Sequence, residues 1–138
     1  MSQYNLVGVQ SKDIAKYWQH ILPLVYDSLE YSDNTYSEEQ ILNELLNSES
    51  QLWLIKKGSE IRAIIVTQLL FFNKNLRMIF KLCAGEDLKN WLDLLPLFCE
   101  FAREKKCEGI SVFGRKGWKK ILKNSGFVEK AVLLTMKF

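Results

Sequence analysis

Leu76-Arg77-Met78-Ile79-Phe80-Lys81-Leu82-Cys83-Ala84-Gly85-Glu86-Asp87 is the stretch on which the reading of the fold turns. Leu76, Met78, Phe80 and Leu82 alternate with Arg77, Ile79 and Lys81. A period of two sends the two sets to opposite faces of a strand, so Leu76 to Cys83 reads as a strand. Beyond it Leu88, Trp91, Leu92, Leu95, Phe98, Cys99 and Ala102 recur at helical spacing. Asp87 to Lys106 therefore reads as a long helix, interrupted at Pro96 and closed by the charged run Arg103 to Lys106, which suits a helix C-terminus.

Cys83 to Asp87 is then the turn from a central strand into the main helix. Helix starts attract anions, because their first N–H groups are unpaired and the dipole is positive there. A phosphate also needs small residues so that the backbone can approach it, and between Leu82 and Trp91 the chain supplies only Gly85. Glu86 and Asp87 put negative charge in the same place, and like charges at ~4 Å repel by roughly 1 to 4 kcal/mol. Asp87 also fits an N-cap, which uses up the donors a phosphate would take. The turn reads as a structural cap poorly suited to phosphate.

Upstream, Asn5 to Gln10 reads as a short opening strand. Ile14, Tyr17, Trp18, Ile21, Leu22 and Val25 mark an amphipathic helix that Pro23 should bend or break. Tyr31 to Tyr36 is turn-like, and Ser37 with Gln40 matches a capping box ahead of Ile41, Leu42, Leu45 and Leu46. Leu52 to Lys56 and Ile61 to Gln68 are strand-like runs joined by Lys57 to Glu60, which predicts an antiparallel hairpin. Asn73 to Asn75 makes the next turn.

Downstream, Gly109 to Phe113 reads as a brief strand and Lys116 to Asn124 as a short basic helix, with Gly126 as its left-handed stop. Phe127 to Phe138 reads as a closing extended strand. The order β, α, α, β, β, β, α, β, α, β predicts one α/β (α+β) domain over residues 1–138, a mixed, mainly antiparallel sheet with helices on both faces.

The 138 residues suit a single domain, and 48% apolar with 25% charged residues is the mixture of a globular protein rather than a disordered one. A formal charge of +3 is too mild to imply a nucleic-acid or membrane partner by itself. Cys83, Cys99 and Cys107 with the single His20 offer little for a zinc site and suit a reducing setting. No stretch approaches the ~18 apolar residues of a membrane span, and no leader pattern opens the chain, so neither export nor a membrane partner is expected.

The element order, and the segment Lys123, Asn124, Ser125, Gly126, Phe127 behind the long helix, resemble the GNAT superfamily of acyl-CoA-dependent N-acyltransferases over essentially the whole chain. The series Gly85 and Trp91, then Ala102, Arg103, Glu104 and Cys107, then Gly114, Arg115, Gly117 and Trp118, then Gly126 and Phe127, is similar to short GNAT-like proteins of tailed bacteriophages. The resemblance implies an acyl-CoA lying between two splayed parallel strands, here Leu76 to Cys83 and Gly109 to Phe113. Cofactor contacts, if acyl-CoA binds, would come from Leu82, Cys83, Ala84, Gly85 and Trp118.

Two departures stand out against that pattern. The phosphate turn keeps one glycine of the expected motif, and Leu122 occupies the place where a catalytic tyrosine often protonates the leaving thiolate. Arg115 and Trp118 stand where Asn and a small residue are common. The sequence thus reads as a phage-type GNAT-fold protein degenerate for acetyl-CoA chemistry. No cofactor is expected, the catalytic residues are left unassigned, and the chain would act by binding a phage or host protein, in the virion or the host cytoplasm. The alternative is an active acyl-CoA N-acetyltransferase with an atypical cofactor loop, using acetyl-CoA.

Arg115, Lys116, Lys119, Lys120 and Lys123 surround Trp118 on one short helix, a nucleic-acid contact or a solvated basic face. Arg77 and Lys81 share a strand face and could pair with Glu86 or Asp87. Cys83 and His20 lack the partners of a covalent or general-base mechanism. Tyr26, Glu30, Tyr31, Asp33 and Tyr36 lie where the resemblance places acceptor recognition.

Overall fold

The computed structural model describes residues 4–31, 35–85, 92–112, 116–132 and 134–138. Glu86, Asp87, Trp91, Gly114 and Arg115 lie outside them, so the charged half of the turn is not part of the structural description. Strand β1 (Tyr4–Val9) is followed by helices α1 (Ile14–Tyr31) and α2 (Glu38–Leu46). Strands β2 (Gln51–Lys57), β3 (Glu60–Phe72) and β4 (Asn75–Gly85) come next, then α3 (Leu95–Glu104), β5 (Gly109–Val112) and α4 (Lys116–Lys123).

The sheet order is β1-β2-β3-β4-β5. The first three neighbouring pairs are antiparallel, and β4 with β5 is parallel. Lys57 pairs with Glu60, leaving Gly58 and Ser59 as a two-residue turn in which Gly58 takes the left-handed φ of 64°. The expected hairpin is present, and the expected mixed, mainly antiparallel sheet with it.

Two apolar cores lie on opposite faces. Ile14, Trp18, Ile21, Val25 and Leu29 of α1 recur every three or four residues and pack with Ile41 and Leu45 of α2 on Leu52, Leu54, Ile64, Val66, Leu82 and Ala84 of the sheet. On the other face Phe98 and Ala102 of α3 and Leu122 of α4 pack on Ile55, Ala63, Ile65, Met78 and Phe80. Phe98 is fully buried and takes edge-to-face contacts with Trp53 and Phe80, at ring separations of 5.1 and 5.0 Å. Such pairs add about 0.5–1.5 kcal/mol each beyond the area they bury. The Trp53 indole N–H donates to the buried Thr67 hydroxyl at 2.9 Å, which in turn donates to Gln51 Oε1 at 2.8 Å.

Several expectations are corrected. Of the bend or break expected at Pro23, the break is excluded, because helix α1 is continuous through it. Pro96 sits in the first turn of α3, where its missing donor costs nothing, and so opens this helix instead of interrupting it. A short 3-10 turn, Leu92–Leu94, precedes it. Ser37 is the N-cap of α2 as expected, its Oγ accepting the Gln40 N–H at 3.1 Å, but the Gln40 side chain turns to Glu44 instead of closing the box. No strand is assigned among the described residues of 127–138, and Val128, Val132, Leu134 and Met136 are exposed. Alternation supplies the side-chain pattern of a strand but not a ladder partner.

Candidate functional site: the end of β4

Among the described residues strand β5 accompanies β4 for four pairs, from Arg77 opposite Gly109 to Phe80 opposite Val112. On its other side β4 stays paired with β3 as far as Gly85 opposite Ala63. The stretch Lys81–Gly85 therefore has β3 on one edge and, among the described residues, no β5 partner on the other. The register also shifts at that point. Val66 faces Leu82 while Thr67 faces Phe80, which makes Lys81 the extra residue of a β-bulge. A bulge bends its strand and sharpens the local twist.

The bulge reverses the phase of the strand. Met78 and Phe80 belong to the α3-side core, whereas Leu82 and Ala84 belong to the α1-side core. Leu82 was expected to share a face with Phe80; the extra residue places it on the opposite one. Of the expected cofactor contacts, Leu82 and Ala84 are buried under the first two helices, while Cys83 and Trp118 are half-buried against the α3-side core. Gly85 adopts φ +123°, and a Cβ there would collide with the Arg62 carbonyl oxygen and come within 2.7 Å of the Ala63 Cβ. Leu82 to Gly85 share the end of β4 through their backbone, while the side chains of Leu82 and Ala84 face one core and that of Cys83 the other.

Lys81 is the charged member of this stretch and it is 7% exposed. Its ammonium donates to Glu44 Oε1 at 2.8 Å and to Gln68 Oε1 at 3.3 Å, and lies 4.2 Å from the centre of the Tyr36 ring. Glu44 also accepts from the Ser50 hydroxyl at 2.9 Å and the Gln40 amide at 3.1 Å. Burial alone would raise the Glu44 carboxyl, but the hydrogen bonds from Lys81, Gln40 and Ser50 and the charge of Lys81 outweigh it and hold the group below the usual carboxylate range. Burial, then the Glu44 charge, pushes the Tyr36 phenol up.

Among the described residues Arg77 pairs with Glu108 and Lys81 with Glu44, while the expected partners Glu86 and Asp87 lie outside them. Arg77 Nε lies 2.6 Å from Glu108 Oε1. Glu44 was missed in the sequence. The signal for it was Lys81 itself, the one charge inside the apolar run Met78 to Ala84. Tyr36 belongs to the acceptor segment that the resemblance named and reaches the cluster. Tyr26 is exposed, and a hydrogen bond with Glu38 heads the causes that raise its phenol.

The remaining candidates lie apart from one another. His20 is exposed and lines an open cavity of about 410 Å³ with Tyr17 and Lys56. Leu122 is 7% exposed and is a core residue. Helix α4 turns Trp118, Ile121 and Leu122 inward and Lys119, Lys120 and Lys123 outward, and Lys119 reaches Glu129 at 3.3 Å. Arg115 and the Lys116 side chain lie outside the described part of that face. None of the three cysteines is in a disulfide. Among the described residues no group of His, Cys, Asp and Glu could hold a metal ion, and no helix is long and apolar enough to cross a membrane.

Comparison with solved structures identifies the architecture. The chain superposes on a probable acetyltransferase with a TM-score of 0.71 at 18% identity, covering 97% of this chain and 99% of that one. A predicted acetyltransferase from Clostridium acetobutylicum, solved with acetyl-CoA, gives 0.67 at 14% identity, covering 97% and 96%. A GNAT family acetyltransferase from Staphylococcus aureus gives 0.63 at 17%, covering 100% of both chains. At such identities the likeness is one of fold, and the fold is that of the GNAT acyltransferases. No family model and no curated protein sequence matches the chain.

Proposed function

We propose that this chain uses the GNAT fold to bind a partner rather than to transfer an acyl group, as a virion-associated or host-directed component of the kind its phage resemblance implies. Acyl transfer to an amine needs a base for the ammonium proton, and a departing thiolate benefits from an acid. The observation that carries the proposal is the state of Glu44. Among the described residues it is the carboxylate tied to Lys81–Gly85, and both its oxygens are occupied by three donors. A carboxylate held in its charged form by three hydrogen bonds is a poor proton acceptor. Leu122, packed in the core where a phenol often stands, points the same way.

A second reading, an N-acetyltransferase with an atypical loop, is favoured by one feature. Among the described residues no β5 partner lies along Lys81–Gly85, the place where the resemblance puts an acyl-CoA. A thermal-shift titration with acetyl-CoA separates the two. Ligand at about 100 times its dissociation constant stabilises a fold by ~2.7 kcal/mol. The proposal expects no saturable shift, and a saturable shift overturns it in favour of the enzyme.

A further inference from the structure

The tip of the β3–β4 ribbon projects beyond its neighbours. Strand β2 follows β3 only to Gln51 opposite Thr67, whereas β3 and β4 remain paired to Phe72 opposite Asn75. Asn73 takes a left-handed φ of 64° to make the two-residue turn with Lys74. Phe71, at this tip, is 73% exposed. Its ring offers an apolar face to solvent at the end of the hairpin.

Across from the tip lies the end of α3. Cys107 N–H donates to Ala102 O at 2.9 Å and Lys106 N–H to Arg103 O at 3.0 Å, the paired bonds that close a helix with a left-handed residue. That residue is Lys106, at φ 64°. Glycine is the usual occupant, so the chain holds a lysine where its backbone would be better served by no side chain. Glu108 N–H donates to Leu76 O at 2.7 Å and ties this turn to the ribbon.

Between them is an open cavity of about 370 Å³, lined by residues that include Phe71, Lys74, Lys105, Lys106 and Glu108. Glu108 is the acid of this lining, and the Arg77 guanidinium holds it at 2.6 Å. Three lysines and an exposed ring line this cavity, Lys105 with its ammonium 5.6 Å from the centre of the Phe101 ring, and with the neighbouring carboxylate paired to Arg77 they suit an anion that has a flat apolar face. An acidic peptide would use the charge and leave the ring idle. A single-stranded nucleic acid uses both, phosphates on the lysines and a base on Phe71. We propose that the cleft between the β3–β4 tip and the α3–β5 turn binds single-stranded nucleic acid through Phe71, Lys74, Lys105 and Lys106. This site is separate from the end of β4 and does not depend on how that end is read.

The test is fluorescence anisotropy of the full chain with a labelled oligothymidylate of about a dozen nucleotides, a length within the usual single-strand site range. Three neutralised phosphates give a slope of log K against log salt of about −2, or roughly 15-fold weaker binding from 50 to 200 mM salt. Phe71→Ala should weaken binding at least about fivefold. Lys105→Gln with Lys106→Gln should flatten the slope by about 1.4. Lys106→Gly is the most telling variant, since relief of the left-handed strain raises the melting temperature while binding weakens. No binding at 50 mM salt overturns the proposal. So does binding that survives these changes but is lost in Lys119→Gln with Lys120→Gln, or equal competition by polyglutamate.

Discussion

Replacing Lys81 by methionine removes a charge from the β4 bulge while keeping nearly the same volume and apolar stem. In the native chain the Lys81 and Glu44 side chains are 6% and 13% exposed, with 2.8 Å between nitrogen and oxygen. Removing one partner of a buried pair costs about 3–5 kcal/mol when the other charge is left uncompensated. Here Glu44 keeps the Ser50 and Gln40 donors, so the expected loss lies at or below the low end, about 2–3 kcal/mol at neutral pH. For a chain of 138 residues that is a fall in melting temperature of about 7–10 °C. The pH dependence gives a second check. The Glu44 carboxyl is depressed in the folded chain, so it contributes stability above its unfolded pKa that is lost as pH falls through the lower folded value. Lys81→Met removes a cause of that depression, so the gap between native and variant should be widest near neutrality and narrow below about pH 4. Urea denaturation at pH 7 and pH 3.5 measures both. Adding Glu44→Leu to Lys81→Met should recover part of the loss. A gap that does not change with pH, or a double variant as unstable as the sum of the singles, would refute the reasoning.

Two further substitutions probe the same region. Gly85→Ala places a Cβ against the Arg62 carbonyl and Ala63 at a φ that side chains rarely adopt, and should cost about 3 kcal/mol or more in chemical denaturation. Leu122→Ala should cost about 2–5 kcal/mol, as for other buried leucines, and a loss under 1 kcal/mol would show that α4 is not packed through this residue.

What the sequence disclosed and what it hid follow from the range of the interactions. The hairpins were legible because turn residues and period-two alternation act over a few positions, as at Gly58 and along Ile61 to Gln68. The Ser37 cap was legible for the same reason. The bulge was not. Strand β4 is buried on both faces, so apolar residues occupy both phases and nothing local marks Lys81 as the extra residue. Glu44 lies 37 positions from Lys81 and meets it only when α2 docks on the sheet. Pro96 was misplaced because the apolar spacing continues upstream through Leu92 and Trp91, and periodicity alone cannot tell a helix interior from its first turn. Strand β4 runs to Gly85, two residues beyond the Cys83 expected to end it, so Ala84 and Gly85 belong to the strand and not to the turn; the division of Leu82, Cys83 and Ala84 between two cores could not be read from a pattern that assumes constant phase.

The bulge at Lys81 also determines which changes of length this strand can absorb. Deleting that one residue would bring the two halves of β4 into a common phase, sending Leu82 and Ala84 toward α3 and Cys83 toward α1. Every side chain from there to Gly85 would then carry the wrong address, although no residue had changed its chemistry. A substitution at Lys81 is a local event, whereas its loss would be a frameshift in three dimensions. Natural variants of this chain should therefore differ in the identity of residue 81 more readily than in the number of residues between Phe80 and Leu82.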